Sequence, residues 1–226
     1  TPEHENKKSI RNQITMTTGL DYGVPDNFCT LSSCLTYLAD AGTRWAYHNA
    51  PYTLLENVLD SATGTSVNIY TQTKLKTPTG MTGLWTTVDY DNVFFSKVRS
   101  MARFGLLMQN KCIWNRDTLL HDMSYISQMT NTSQDFNKSY GYLWWLNGKS
   151  KYMLPSDQTV YQGTLIPNAP ADMFAGMGAG DQRVYVIPSK KMVVIRMGQA
   201  SNPDNPDFAV SGFDNALWEK ISAVIN

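Results

Sequence analysis

The chain has 226 residues, 42% of them hydrophobic, and its 19 basic side chains balance 19 acidic ones, so the formal net charge is zero. That length suits one large domain or two small ones and buries a sizeable core. The balance excludes a basic surface of the kind that grips a phosphate backbone, so nucleic acid is not an expected partner, and no apolar run is long enough to form a membrane-spanning segment.

In chain order, TPEHENKKS is polar and mixed in charge, which reads as a solvated terminus without a signal peptide. Residues 9–20 read as a short helix or extended piece closed by Gly19, and Asp21 to Phe28 as a loop. Leu31, Cys34, Leu35 and Leu38 share one helical face, which predicts a helix over Leu31 to Ala39. Pro51 to Ser61 is the clearest helix, with Leu54, Leu55, Val58 and Leu59 at helical spacing, Pro51 in the first turn and Gly64 just past the end. Val67 to Leu75 predicts a second short helix and Thr77 to Met81 a turn. An extended piece from Asn92 leads into a helix over RSMARFGLLMQN, capped by Ser100, and the helical pattern resumes from Arg116 to Met129.

From Ser139 the character changes. SYGYLWWLNG and SKYMLP are aromatic and strand-like, and MFAGMGAGDQ reads as a glycine-rich turn. A β-hairpin is expected with strands Arg183 to Ile187 and Met192 to Met197 about a turn at Pro188 to Lys190. Phe213 to Ile225 reads as a helix presenting Phe213, Leu217, Trp218, Ile221 and Val224. Helices followed by an antiparallel sheet and a covering helix predict an α+β fold. Residues 20–138 are then a mainly helical lobe and 139–226 the strands and terminal helix.

Four groups of residues invite a functional reading, each beside a plainer one. Tyr47 and Asn49 flank His48 just before a helix; a half-buried packing tyrosine and a helix cap explain them as well as catalysis does. The run Gly176, Met177, Gly178, Ala179, Gly180 is either a flexible turn or a backbone that lets a substrate approach closely. It lacks the order of a nucleotide-binding fingerprint and precedes a hairpin rather than a helix. Tyr140, Tyr142 and Trp144 fall on one face of an alternating strand and Trp145 on the other, as core or as a pocket wall. Cys29 and Cys34 lie five apart, a spacing open to a disulfide or to two free buried thiols, and Cys112 stands alone. The 3 histidines are scattered, so no metal site is expected and no cofactor is implied.

GTRWAYHNAPYTLLENVLDSATG, FFSKVRSMARFGLLMQN with SYGYLWW, and GMGAGDQRVYVIPSKKMVVIRMG, in that order after ITMTTGL, resemble the later part of the serine beta-lactamase-like hydrolases. That group holds class C beta-lactamases, D-alanyl-D-alanine peptidases, family VIII esterases and 6-aminohexanoate-dimer hydrolases. The resemblance, over roughly residues 9–226, implies a beta-lactamase/transpeptidase-like fold, with a helical lobe packed beside an antiparallel sheet. It also implies attack on a carbonyl by a serine, with three motifs: Ser-x-x-Lys, Tyr-x-Asn and a Lys-Thr-Gly-like strand. Tyr47 and Asn49 match Tyr-x-Asn, which casts Tyr47 as the proton-transfer group and Asn49 as a positioning group, with His48 as a wall residue. Met177, Gly178, Ala179 and Gly180 match the substrate and oxyanion strand, but no lysine or histidine stands there, and Tyr142 and Trp144 become candidate pocket walls.

No serine of the chain is followed three residues later by lysine. The expectation is therefore an incomplete domain over 1–226 whose N-terminal part, with the nucleophile and its lysine, lies upstream or in a separate partner chain. The chain alone would then be inactive, and the full-length protein a hydrolase of a small ester, amide or peptide. A non-catalytic binding or structural domain is the alternative. By the same resemblance the protein is expected in the periplasm or secreted.

Overall fold

The computed structural model describes residues 2–5, 7–205 and 209–225, which fall into two compact units: 1–97 with 154–158, and 98–153 with 159–226.

The first unit carries short helices and one hairpin. After α1 (Pro2–Glu5), α2 (Ile10–Ile14) opens with a capping box in which Ser9 and Asn12 bond each other's backbone N–H groups. It stops at once, and the threonine run that follows is buried. Gly19 has φ of +72°, and a Cβ there would lie 2.1 Å from the Ala39 carbonyl oxygen, so only glycine fits where the two segments meet. Its carbonyl accepts from the Leu38 and Ala39 N–H groups. The helix expected over Leu31 to Ala39 is therefore absent. A disulfide between Cys29 and Cys34 closes a turn there, and the chain then runs beside Leu20 with Tyr37 opposite it. Leu31 and Leu38 stay exposed, so their helical spacing reflects no buried face.

The helix expected from Pro51 is two: α3 (Asn49–Thr53) and α4 (Leu55–Thr63), closed by a left-handed Gly64. α5 (Val67–Thr71) continues through a wide helical turn at Gln72–Lys76 into α6 (Thr77–Thr79), which ends at left-handed Gly80. β1 (Gly83–Val88) and β2 (Asp91–Ser96) form an antiparallel hairpin, of which the sequence reading found only the second half.

The second unit is built on a four-stranded antiparallel sheet. α7 (Val98–Gln109) packs on it; Ser100, the expected cap, is instead buried inside this helix. A Cβ on Gly105 would lie 2.4 Å from a Val193 methyl, which marks the closest approach of helix and sheet. The helix expected from Arg116 is replaced by a small hairpin, β3 (Ile113–Trp114) with β4 (Asp117–Thr118), because Asn115 and Arg116 both take positive φ. Helix α8 (Met123–Met129) starts only at the Asp122 cap.

Next come β5 (Trp145–Leu146) and the pair β6 (Lys151–Tyr152) and β7 (Tyr161–Gln162). The strands β8 (Phe174–Gly178), β9 (Gln182–Ile187) and β10 (Met192–Arg196) complete the sheet, ordered β10-β9-β8-β5. The hairpin about Pro188 matches the sequence reading closely. The glycine-rich run does not: Phe174 to Gly178 is a strand paired with β9 along its whole length, and only Ala179 to Asp181 turns. The aromatic alternation also fails. Leu143 takes φ of +58°, so Tyr140, Tyr142, Trp144 and Trp145 are all buried rather than divided between two faces.

α9 (Asp214–Ile225) covers the sheet through Trp218, which is fully buried and meets Tyr185 edge-on at 5.4 Å; Val224, expected on the same face, is 83% exposed. The start of α9 is held by a buried ionic network. Asp214 accepts from Arg183 Nε at 2.8 Å, from the Tyr185 hydroxyl and from the Ser211 N–H. Arg183 Nη2 also donates to Asp181 at 3.0 Å, and Asp181 in turn accepts from the N–H and hydroxyl of Ser201. Burial pushes the Asp181 carboxyl up, but the Ser201 bonds and the Arg183 charge outweigh it and hold it below the usual range. Removing one partner of such a network leaves a charge stranded in the core. Asp214→Ala is expected to lower stability by about 3–5 kcal/mol, read as a lower urea midpoint at unchanged slope.

Candidate active site

The Tyr47-His48-Asn49 segment belongs wholly to the first unit. Trp45 and Ala46 before it are buried, and the Ala46 N–H donates to the Met16 carbonyl at 2.9 Å, which anchors the approach to α3. Tyr47 is half-buried, with its ring 6.4 Å from that of Trp45.

Asn49 is not the helix cap. It is the first helical residue, and His48, which precedes it, makes no side-chain capping bond. Asn49 is instead clamped by Asn27, whose Oδ1 accepts from both the Asn49 backbone N–H at 2.9 Å and its Nδ2 at 2.6 Å. Asn49 Oδ1 accepts from the Tyr52 hydroxyl at 3.1 Å. Burial, with additional repulsion from Tyr47 and Asp91, pushes the Tyr52 phenol far above its ordinary value, so Tyr52 remains a donor. Neither Asn27 nor Tyr52 was singled out in the sequence. Tyr52 stands at i+3 from Asn49 on a helix, a spacing that the pattern offered; Asn27 lies 22 residues away and offered none.

His48 is 2% exposed, with neither ring nitrogen hydrogen-bonded among the described residues. It is thus an interior residue rather than a surface one. Burial depresses its pKa, against a weaker opposing pull from Asp21.

A polar pocket of about 230 Å³ opens beside α3 and α4, lined among others by Thr53, Glu56, Asp89 and Asn92. None of Tyr47, His48 and Asn49 lines it. Glu56 is pushed up by burial and by Asp60 one turn on.

The second candidate element lies in the sheet unit. β5 pairs with β8 only at Phe174 and Ala175, whereas β9 pairs with it from Phe174 to Gly178. Among the described residues no strand pairs with the other edge of Gly176, Met177 and Gly178. Gly178, Ala179 and Gly180 are exposed. The carbonyls of this corner are tied back into the protein: Arg183 donates to Gly178 O at 2.8 Å and Arg196 to Gly180 O at 2.9 Å. A Cβ on Gly176 would sit 3.8 Å from the Trp144 ring, which itself packs on Phe104 and Phe174. The Tyr142 hydroxyl donates to Gln128 and its ring lies 5.6 Å from that of Tyr125, so Tyr142 packs against α8, whereas Trp144 packs beside Gly176. Among the described residues no group of three or more His, Cys, Asp or Glu is placed to hold a metal ion.

The depressed His48 pKa has a definite sign. The unfolded chain takes up the proton near pH 6.5, before the folded one does, so stability is present above that pH and is lost as pH falls from it towards the lower folded value. Each unit of depression is worth about 1.4 kcal/mol. Between pH 7.5 and 5 the parent is expected to lose more unfolding free energy than His48→Leu does; equal losses in urea titrations would remove His48 as a source of acid sensitivity.

The comparisons with known proteins bear on these elements together. The model of the family described as Beta-lactamase matches residues 2–213. A comparison with curated proteins returns no match. Among solved structures, one titled "Putative 6-aminohexanoate-dimer hydrolase from Bacillus anthracis" aligns with TM-score 0.69 and 17% identity over 97% of this chain and 62% of its own. This chain thus spans less than two thirds of the length of that protein. A beta-lactamase from Mycobacterium bovis aligns with TM-score 0.64 and 18% identity over 97% of this chain and 73% of its own. For a penicillin binding protein from Bacillus halodurans the values are 0.59, 16%, 96% and 72%. At such identities the likeness concerns the fold.

These matches correct the expectation of a later fragment. The family model matches residues 2–213, nearly the whole chain, and the match does not mark the chain as a later fragment of the domain. The reading of an incomplete domain, of a serine and lysine upstream of the chain, and of inactivity for that reason is withdrawn, and the separate partner chain that rested on it loses its basis. With a family model matched over most of its length, the chain belongs to the Beta-lactamase family.

Proposed function

We propose that the protein carrying this chain hydrolyses a small ester, amide or peptide substrate, with Tyr47 as a proton-transfer group. The observation that carries this reading is the Tyr47-His48-Asn49 segment itself. It resembles the family's Tyr-x-Asn motif, and its asparagine is locked at both ends of its carboxamide by Asn27 and Tyr52. A positioned phenol moves protons for a reacting group when its neighbours hold it in one geometry. Met177, Gly178, Ala179 and Gly180 serve as the carbonyl-binding edge, for which an uncovered strand with exposed glycines is suited. Trp144 backs that edge, and His48, next to Tyr47 in the chain, is interior. The absence of lysine and histidine from 176–180 favours a neutral ester or amide over a substrate gripped by its carboxylate. The Cys29–Cys34 disulfide supports an oxidising location, periplasmic or secreted. No helix among the described residues is long and apolar enough to cross a membrane.

Turnover of p-nitrophenyl acetate, with fluorophosphonate labelling to locate the nucleophile by mass spectrometry, tests the reading. Tyr47→Phe is expected to reduce kcat by about 10²; turnover within two-fold of the parent would remove Tyr47 from proton transfer. No ester turnover and no label in the parent would overturn the hydrolase reading in favour of a binding domain.

A further inference from the structure

The hydrogen bonds around Asn49 have only one consistent direction. Asn27 Nδ2 donates to the Tyr22 carbonyl at 3.0 Å, and a carbonyl can only accept. Asn27 Oδ1 receives the Asn49 backbone N–H, which can only donate. These two backbone groups fix which end of the Asn27 carboxamide faces Asn49. The Asn49 side chain must then present its NH₂ to Asn27, which turns its Oδ1 to the Tyr52 hydroxyl and makes that hydroxyl the donor. The orientation of the motif asparagine is therefore dictated from outside the motif, by a residue of the preceding loop.

The loop that carries Asn27 is itself tied down. Asp26 Oδ1 accepts from the Phe28 N–H and Asp26 O from the Cys29 N–H. Cys29, two residues past Asn27, is buried and bridged to Cys34. The Asn27 main-chain carbonyl also accepts from the Ala50 N–H at 3.0 Å, so one residue satisfies two of the free N–H groups at the start of α3. His48 makes no side-chain bond to this helix start, and Asn27 supplies from a distance what a cap supplies locally.

We infer that Asn27 is a positioning residue for the Tyr47–Asn49 segment: it docks the start of α3 and sets the direction in which Asn49 and Tyr52 share their hydrogen bond. Only the activity readout below rests on the proposed hydrolysis; the docking does not.

Amide exchange by NMR and p-nitrophenyl acetate kinetics, measured on the same samples, test it. In Asn27→Leu the Asn49 amide is expected to exchange at least about ten-fold faster, and the Ala46 amide, bonded to Met16, within two-fold of the parent. In the same variant kcat is expected to fall about ten-fold with KM within two-fold. Asn27→Asp keeps the acceptor for Asn49 but loses the donor to the Tyr22 carbonyl, so its Asn49 protection is expected to fall between those of the parent and Asn27→Leu. Asn49 exchange within two-fold of the parent in Asn27→Leu would overturn the inference. So would an equal loss at Ala46, which would mean general loosening rather than positioning. If the parent does not turn over the ester, the hydrolase reading fails while the exchange rates still decide the role of Asn27.

Discussion

In the sheet unit the controlling constraint is the buried guanidinium of Arg183, which is only 2% exposed. A cation so placed is tolerable only if nearly every N–H finds an acceptor. The acceptors are four groups: Asp214 at the head of the terminal helix, Asp181 in the corner after β8, the Gly178 carbonyl at the end of β8 and the Gln182 carbonyl at the start of β9. One charge thus fixes the helix, the turn and the open strand edge to one another. Its two carboxylates are further satisfied by Tyr185, Ser201 and Ser211, which leaves the network complete. The glycines of the edge can stay small and open because their carbonyls are held from beneath.

The first unit solves a similar problem without charge. Its motif asparagine is held by another carboxamide and a phenol, so direction rather than ion pairing does the positioning. Neutral groups of this kind cost less to bury than ions and are less sensitive to salt. Burial disfavours protonation of the neighbouring His48.

Parts of this were legible in the sequence because the information was local. The hairpin about Pro188 follows from β-branched and aromatic runs flanking a turn, and α9 from the spacing of Phe213, Leu217 and Trp218. The family likeness was legible in the order of the motifs. Leu31 to Ala39 misled because its helical spacing was real while its fate was set by the disulfide and by the close approach at Gly19. LWTTVDYDNVFF carried a hairpin signal in its β-branched and aromatic residues about a short polar turn, and half of it went unread. The glycine run reads as a turn because glycine disfavours strands on average, whereas full pairing of Phe174 to Gly178 with β9 overrides that preference.

By itself the sequence determined the α+β class, the Tyr47-His48-Asn49 motif and the absence of a lysine or histidine from 176–180. These depend on residue identity and short-range spacing, which a chain carries with it unfolded. Only the tertiary structure decided that Asn27 turns Asn49, that His48 is interior, that Cys29 and Cys34 are joined and that the β8 edge lies open beyond Ala175. Each of these depends on groups brought together from a distance or on a partner strand that stops short, and neither leaves a periodic trace in the chain.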